Sequence, residues 1–287
     1  MKKGLIVMAL LALVVIYMKM GQATEPVQEG RQDVKASIVW EAETGTILYE
    51  NNSKESLPIA SMSKLMTQYL VLHAIEEGAL SWDSKYQLSD EVVRKTSHPD
   101  IVKLGMAFDK AYTVEELFTA MTVISANDAA IALAELVSGS EAAFVDEMNR
   151  AAAEMGLRNV NFINATGLDE EGMNVASARD IAALASVLIE TYPEVLDYTS
   201  MTDFTTSEGT RRWSTNLMLP GMPEAMPGMD GLKTGYTEEA GSCFASTGIF
   251  NGKRIITVVM GAGEDWDGTS ASRFEVTKQL LGQYASN

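Results

Sequence analysis

The chain has 287 residues, of which 46% are hydrophobic and 21% charged, a composition typical of a globular protein with one large domain or two small ones. Its formal net charge of −17 argues against nucleic acid or an anionic lipid surface as a partner. Cys243 is the single cysteine, which excludes an intrachain disulfide, and with only two histidines a zinc site is not expected. We expect neither a metal ion nor another cofactor.

The first residues have the pattern of an export signal. Two lysines precede an apolar run over residues 4–17, which is followed by Lys19 and by small residues up to Ala23. The run is shorter than the roughly 20 residues of a membrane-spanning helix. We predict a signal peptide over residues 1–23 and an extracytoplasmic protein. Because Lys19 lies close to the cleavage position, an uncleaved anchor is the alternative.

Hydrophobic periodicity predicts strands near both ends of the chain and helices between them. Strands are predicted for residues 37–42 and 46–49, 201–206, the region around Lys233, 242–250 and 253–260. Asn251-Gly252 predicts a tight hairpin between the last two. Helices are predicted for residues 62–77, 113–123 (opened by a capping box), 128–137, 140–156, 177–192 and 269–284. The sequence therefore predicts an α/β (α+β) fold, with one antiparallel sheet built from both termini and an inserted helical lobe.

Three short motifs occur once each and in this order: Ser61-Met62-Ser63-Lys64, Ser125-Ala126-Asn127 and Lys233-Thr234-Gly235. In the first, the predicted helix begins at Ser61, where the helix field favours a developing alkoxide, and Lys64 lies one turn further along. A partly desolvated Lys64 beside a second cation could lose its proton and act as the base. Taken alone, this motif is more simply a capped helix with a solvated lysine. Ser63 has no partner at the required spacing.

The other two motifs supply the remaining groups of a serine acyl transferase. Ser125 would relay the proton to the leaving amine and Asn127 would hold a substrate amide, although the motif alone also fits a helix N-cap. Lys233 would provide the second cation, Thr234 would bind a carboxylate, and Gly235 would let the substrate backbone approach closely. The backbone N–H groups of Ser61 and Tyr236 would then form an oxyanion hole.

Together, these motifs resemble the signature of the penicillin-recognising enzymes, and the chain is similar to the serine D-alanyl-D-alanine carboxypeptidases among the low-molecular-mass penicillin-binding proteins. The similar segments are residues 57–64, 125–130, 164–169, 177–180 and 230–237. The resemblance implies a serine transpeptidase/β-lactamase-like fold with a five-stranded antiparallel sheet. It implies removal of the terminal D-alanine from the peptidoglycan stem peptide ending in D-Ala-D-Ala, through a Ser61 acyl-enzyme that β-lactams trap. It also implies that Arg273 helps to bind the substrate carboxylate, for which a solvated surface arginine is the alternative.

The resemblance also sets expectations about domains and location. Well-studied members carry a β-rich second domain and a C-terminal amphipathic helix, whereas residues 24–287 are expected to form one catalytic domain with two lobes and no accessory domain. The final helix has an apolar spacing that predicts packing on the sheet and few cations for a membrane surface. The expected location is the cell wall or the outer face of the cytoplasmic membrane. Thr166 stands where some members have a histidine.

Two other functions fit parts of the same pattern. A class A-like β-lactamase would need Glu171 and Asn174 to activate a deacylating water, but their neighbours predict an exposed turn, so Glu171 is not expected to be a catalytic base. A non-catalytic penicillin-binding sensor would be expected to lack the base or the proton shuttle, and this chain has both. The sequence therefore favours the carboxypeptidase.

Overall fold

The computed structural model describes residues 34–169, 172–263 and 271–285. The predicted signal segment, Glu171 and the first two residues of the predicted last helix lie outside these ranges. Within them, no helix is long and apolar enough to cross a membrane.

The regular elements are numbered in chain order. The strands are β1 (Ala36–Glu41), β2 (Thr46–Asn51), β3 (Leu57–Pro58), β4 (Lys85–Gln87), β5 (Ala111–Thr113), β6 (Val175–Ala176), β7 (Asp203–Thr205), β8 (Arg211–Trp213), β9 (Met229–Thr237), β10 (Gly241–Phe250) and β11 (Lys253–Ala262). The helices are α1 (Lys64–Glu76), α2 (Asp90–Lys95), α3 (Val114–Val123), α4 (Asn127–Ser138), α5 (Glu141–Glu154), α6 (Ala178–Thr191), α7 (Val195–Thr199) and α8 (Ala271–Tyr284).

The central sheet has five antiparallel strands in the order β2-β1-β11-β10-β9. Strands from both ends of the chain are therefore hydrogen-bonded in one sheet, which confirms the predicted fold. Asn251 and Gly252 connect β10 to β11 with φ values of 49° and 76°, the positive values that a tight hairpin turn requires. The predicted strand over residues 201–206 is reduced to β7, which pairs with β8 in a separate small sheet.

Helices cover both faces of the sheet. The last helix, α8, buries Phe274, Leu280 and Leu281 in a cluster with sheet residues such as Val39 and Phe244, which confirms that its apolar side belongs to the core. The larger core lies on the other face, where α6 packs on the sheet and α1 packs on α6 and on the helical lobe. Because the cores on both faces of the sheet are close-packed, the end of β9 and the start of α1 have fixed positions relative to each other.

Three of the predicted helix starts, those with a hydroxyl cap, agree with the structure. The hydroxyls of Thr113, Ser140 and Ser177 each accept a hydrogen bond from the amide three residues later, at 3.1, 3.2 and 3.1 Å. The carboxylate of Glu116, expected to complete a capping box at Thr113, instead accepts a hydrogen bond from the distant Ser207 amide at 2.8 Å. Tertiary contact therefore replaces part of the local pattern.

Candidate active site

Ser61 lies in a single 3₁₀ turn, Ala60–Ser63, directly before α1 rather than in its first α-helical turn. Ala60 has a φ of +46°, a left-handed conformation that side chains with a Cβ seldom adopt. Two glycines pack against this turn: an added Cβ would lie 2.0 Å from the Ala60 oxygen at Gly167 and 2.9 Å from the Ile59 oxygen at Gly235. A glycine is thus needed at position 235 because the backbone of the Ser61 turn packs closely against it. The sequence had suggested a different reason, the close approach of a substrate backbone.

Lys64 points from the first turn of α1 back to Ser61. Its Nζ lies 3.0 Å from Ser61 Oγ, 2.8 Å from Asn127 Oδ1 and 2.5 Å from the Thr166 carbonyl oxygen. The side chain is fully buried. Burial, followed by the charge of Lys233, lowers the pKa of Lys64 well below its ordinary value of 10.5. A neutral amine within hydrogen-bond reach of a serine hydroxyl can take its proton.

Ser125 lies in the break between α3 and α4, as predicted, whereas Asn127 is the first residue of α4. Ser125 is held at a φ of +65° and faces the cavity described below. The Asn127 side chain bonds Lys64 through Oδ1 and donates through Nδ2 to the Val102 carbonyl at 3.0 Å. The structure thus gives Asn127 a contact with Lys64 that was not predicted from the sequence.

The third motif lies on the edge strand β9. Lys233 is buried and donates to the Thr234 carbonyl at 2.9 Å, and burial, followed by the charge of Arg273, lowers the pKa of Lys233 to about 7. The hydroxyl of Thr234 donates to Thr215 Oγ1 at 2.7 Å. The Tyr236 side chain, 51% exposed, stands at the cavity rim.

Arg273 is buried, so the alternative that it is a solvated surface arginine is wrong. It is 5% exposed, and its Nη1 donates to the carbonyls of Gly235 at 2.7 Å and Cys243 at 3.1 Å. These bonds place a guanidinium beside the end of the Lys-Thr-Gly motif, where it also borders the cavity. Cys243 is buried, as expected of a small apolar side chain, and burial raises the pKa of its thiol.

One open cavity of about 610 Å³ brings most of the predicted residues together. Its lining includes Ser61, Ser125, Asn127, Thr234, Gly235, Tyr236 and Arg273. Lys64 and Lys233 lie buried beside it. Val102, Thr215 and Leu217 are among the other lining residues, and none of these three belongs to a motif that would identify it from the sequence.

Residues 164–169, one of the segments of family resemblance, also form part of the site, but the sequence did not reveal the contact of the Thr166 carbonyl with Lys64. Asn164 Oδ1 accepts hydrogen bonds from the Gly167 amide at 2.7 Å and from the Thr166 amide and hydroxyl at 3.2 and 3.0 Å. This network turns the Thr166 carbonyl toward Lys64. Asn174, the second half of the β-lactamase-like pair, is buried, and its Oδ1 accepts from the Ile163 amide at 2.7 Å. Its amide therefore supports the backbone of this segment.

The sheet, the helical lobe and the serine–lysine pair at the cavity define a penicillin-recognising serine enzyme fold. Residues 22–264 match the family described as D-alanyl-D-alanine carboxypeptidase (Peptidase_S11), and the chain belongs to this family.

Individual relatives agree with this assignment. The chain is 35% identical over 252 residues to the D-alanyl-D-alanine carboxypeptidase DacF of Bacillus subtilis, covering 86% of this chain and 61% of that protein. A peptidoglycan synthesis regulatory factor (PBP3) from Streptococcus pneumoniae superimposes with a TM-score of 0.84 at 39% identity, covering 89% of this chain and 72% of the other. Penicillin-binding protein D2 from Listeria monocytogenes, solved in a cefotaxime-bound form, gives a TM-score of 0.79 at 39% identity, covering 89% and 98%. The chain thus spans about three fifths of the length of the first curated relatives it matches.

Proposed function

We propose that the protein is a serine D-alanyl-D-alanine carboxypeptidase that acts through an acyl-enzyme on Ser61. The observation that carries this proposal is the 3.0 Å approach of a fully buried lysine amine, Lys64 Nζ, to Ser61 Oγ at the floor of an open cavity. The family and the names of the relatives support the same substrate class, a peptide ending in D-Ala-D-Ala.

The reaction follows from the positions of the groups. Neutral Lys64 accepts the Ser61 proton while Oγ forms a bond to the carbonyl carbon of the penultimate D-alanine. The backbone N–H groups of Ser61 and Tyr236 are proposed to stabilise the resulting oxyanion. Ser125 passes a proton to the leaving amine as the C–N bond breaks and D-alanine departs. Water then cleaves the ester, which releases the shortened peptide and restores the Ser61 hydroxyl.

The remaining motif residues are proposed to hold the substrate. Lys233 and Arg273 supply positive charge for the terminal carboxylate, and the Thr234 hydroxyl, which borders the cavity, supplies a hydrogen bond. Asn127 is proposed to contact the substrate amide in addition to Lys64. β-Lactams would occupy the same cavity and leave a stable ester on Ser61.

We also propose that the protein works outside the cytoplasm, because its proposed substrate is peptidoglycan and residues 1–23 have the pattern of an export signal. N-terminal sequencing of the protein from fractionated cells tests this. A mature chain beginning at Thr24 supports cleavage after Ala23, whereas an intact Met1 in the membrane fraction would show that the segment is kept as an anchor.

Labelling with a fluorescent penicillin tests the nucleophile. Wild-type protein should become covalently labelled, Ser61→Ala should not, and Ser63→Ala should retain labelling as the matched control on the same turn. Mass spectrometry should show release of D-alanine from diacetyl-L-Lys-D-Ala-D-Ala by the wild type. Labelling of Ser61→Ala would contradict the assignment.

The β-lactamase alternative makes a different prediction for Glu171. If the protein is a carboxypeptidase, Glu171→Ala leaves the slow deacylation of bound penicillin nearly unchanged. Rapid turnover of penicillin by the wild type, with the acyl-enzyme accumulating in Glu171→Ala, would identify a β-lactamase instead.

A further inference from the structure

Helix α5 holds the backbone segment that carries the Thr166 carbonyl. Near the start of the helix, Glu141 Oε1 accepts a hydrogen bond from the Ala165 amide at 2.9 Å. Two turns later, Asn149 Oδ1 accepts from the Phe162 amide and its Nδ2 donates to the Phe162 carbonyl, at 2.9 and 2.8 Å. Two side chains of α5 therefore form hydrogen bonds with the backbone of this segment, as a neighbouring strand would in a sheet.

Glu141 is unusual among these contacts because it is a buried carboxylate, 5% exposed. A buried charge is costly unless it is paired and hydrogen-bonded, and both conditions are met here. Its second oxygen, Oε2, lies 2.5 Å from Lys95 Nζ on α2. From the opposite side, the hydroxyl of Thr67 on α1 donates to the Ala165 carbonyl at 2.9 Å. Ala165 is thus held at both its N–H and its C=O.

The position of the Thr166 carbonyl decides how Lys64 can act. A neutral amine has two N–H donors and one lone pair. If the two donors are used by the Thr166 carbonyl and Asn127 Oδ1, the lone pair is left for the Ser61 hydroxyl. A displaced carbonyl would let the amine rotate and lose this orientation.

We propose that Glu141, which does not touch the reacting atoms, is a positioning residue for the Lys64 base, acting through the Ala165 amide and the adjoining Thr166 carbonyl. This inference rests on the proposed function. It assigns the ion pair between buried Glu141 and partly buried Lys95 a role in acylation beyond stability.

The charge of Glu141 should have an effect that is separable from its hydrogen bond. The charged groups that act on Lys64 are Lys233 on β9, Asp128 on α4 and Glu141 on α5. Burial and Lys233 lower the pKa of Lys64, whereas the two carboxylates raise it. Removing only the charge of Glu141 should therefore lower that pKa further.

The test compares Glu141→Gln, Glu141→Ala and the control Glu147→Gln, measuring acylation by a fluorescent penicillin from pH 5 to 9 together with thermal unfolding. Glu141→Gln keeps an acceptor for the Ala165 amide, so its plateau rate should stay within about three-fold of the wild type while the acid limb moves to lower pH. Glu141→Ala loses the acceptor, and its plateau rate should fall by about ten-fold or more. Glu147 lies on the same helix with its carboxylate near Arg150, and its variant should match the wild type.

Each outcome decides the proposal. Equal rates and pH profiles in Glu141→Ala and Glu147→Gln, with the wild type labelled normally, would overturn the role of Glu141 alone. A fall in thermal stability without any change in rate or pH profile would make Glu141 purely structural and overturn it too. If Glu141→Ala does not fold, Glu141→Asp decides, because its shorter side chain keeps the charge but withdraws the acceptor from the Ala165 amide, and an unchanged plateau rate there contradicts the inference. A wild type that no penicillin labels would instead overturn the proposed function on which it rests.

Discussion

Replacing Gly167 with alanine should displace the 3₁₀ turn that carries Ser61, because Gly167 packs directly against that turn. Gly167 has a φ of +82°, and a Cβ there would lie 2.0 Å from the Ala60 oxygen and 2.7 Å from the Ser61 nitrogen. The left-handed conformation alone costs a residue with a Cβ about 1–2 kcal/mol. Forcing packed backbone apart adds roughly 1–3 kcal/mol, so we expect the free energy of unfolding to fall by roughly 2–5 kcal/mol.

Gly209 provides a matched control, because its φ is +83° and nothing lies within 4 Å of the corresponding Cβ position. Gly209→Ala should therefore show only the conformational part, about 1–2 kcal/mol, and normal acylation. Urea unfolding measures both free energies, and penicillin labelling measures the displacement of Ser61, which should slow acylation by about a hundred-fold in Gly167→Ala. Equal destabilisation of the two variants with equal labelling rates would refute the argument.

Three further predictions concern charge at the site. Lys64→Arg should lose nearly all acylation because guanidinium stays protonated, whereas Lys233→Arg should retain some penicillin binding; equal and mild losses in labelling would contradict this division of roles. Lys233→Met should raise the free energy of unfolding at pH 7 by up to about 4 kcal/mol, because burial lowers the pKa of Lys233 from 10.5 to about 7. Between these two pH values the unfolded chain binds more protons than the folded protein, so the stability of the wild type rises with pH and that of the variant does not. The gain should vanish toward pH 10 in denaturant titrations, and a gain independent of pH would contradict it. Asp128→Asn should raise KM more than it lowers kcat for the D-Ala-D-Ala peptide. The Asp128 carboxylate accepts hydrogen bonds from the Leu104 and Gly105 amides at 2.8 and 2.9 Å, and these bonds hold the segment that follows Val102 in the cavity wall. An unchanged KM would contradict this prediction.

The elements that the sequence predicted well are those with a strong local cause. Hydroxyl caps begin α3, α5 and α6, and Asn251-Gly252 fixes the turn between β10 and β11. The elements that it missed depend on distant partners. The strands β4 and β5 are three residues each, and they pair although most of the chain between them lies in α2 and irregular backbone. Such short strands have too little periodicity to be recognised alone.

The same division applies to the site. Side chains in the three motifs were predicted, and the structure brings Ser61, Lys64, Ser125 and Asn127 together. The Thr166 carbonyl could not be predicted, because every residue has a backbone carbonyl and only tertiary packing determines where it points. The close approach of Gly235 to the Ser61 turn was also hidden, since a glycine leaves no side chain from which to infer a contact.

Burial is what distinguishes this serine–lysine pair from the same motif on a protein surface. An exposed lysine keeps a pKa near 10.4 and is protonated at neutral pH, so it cannot take a proton from serine. In this protein the amine of Lys64 is enclosed by α1, α4 and the segment before β6, with Lys233 acting on it from β9. Enclosing an amine in this way opposes folding, because the unfolded chain would hold its proton at neutral pH. The large apolar cores on both faces of the sheet offset that cost, and the lysine gains a lone pair that it can direct at Ser61.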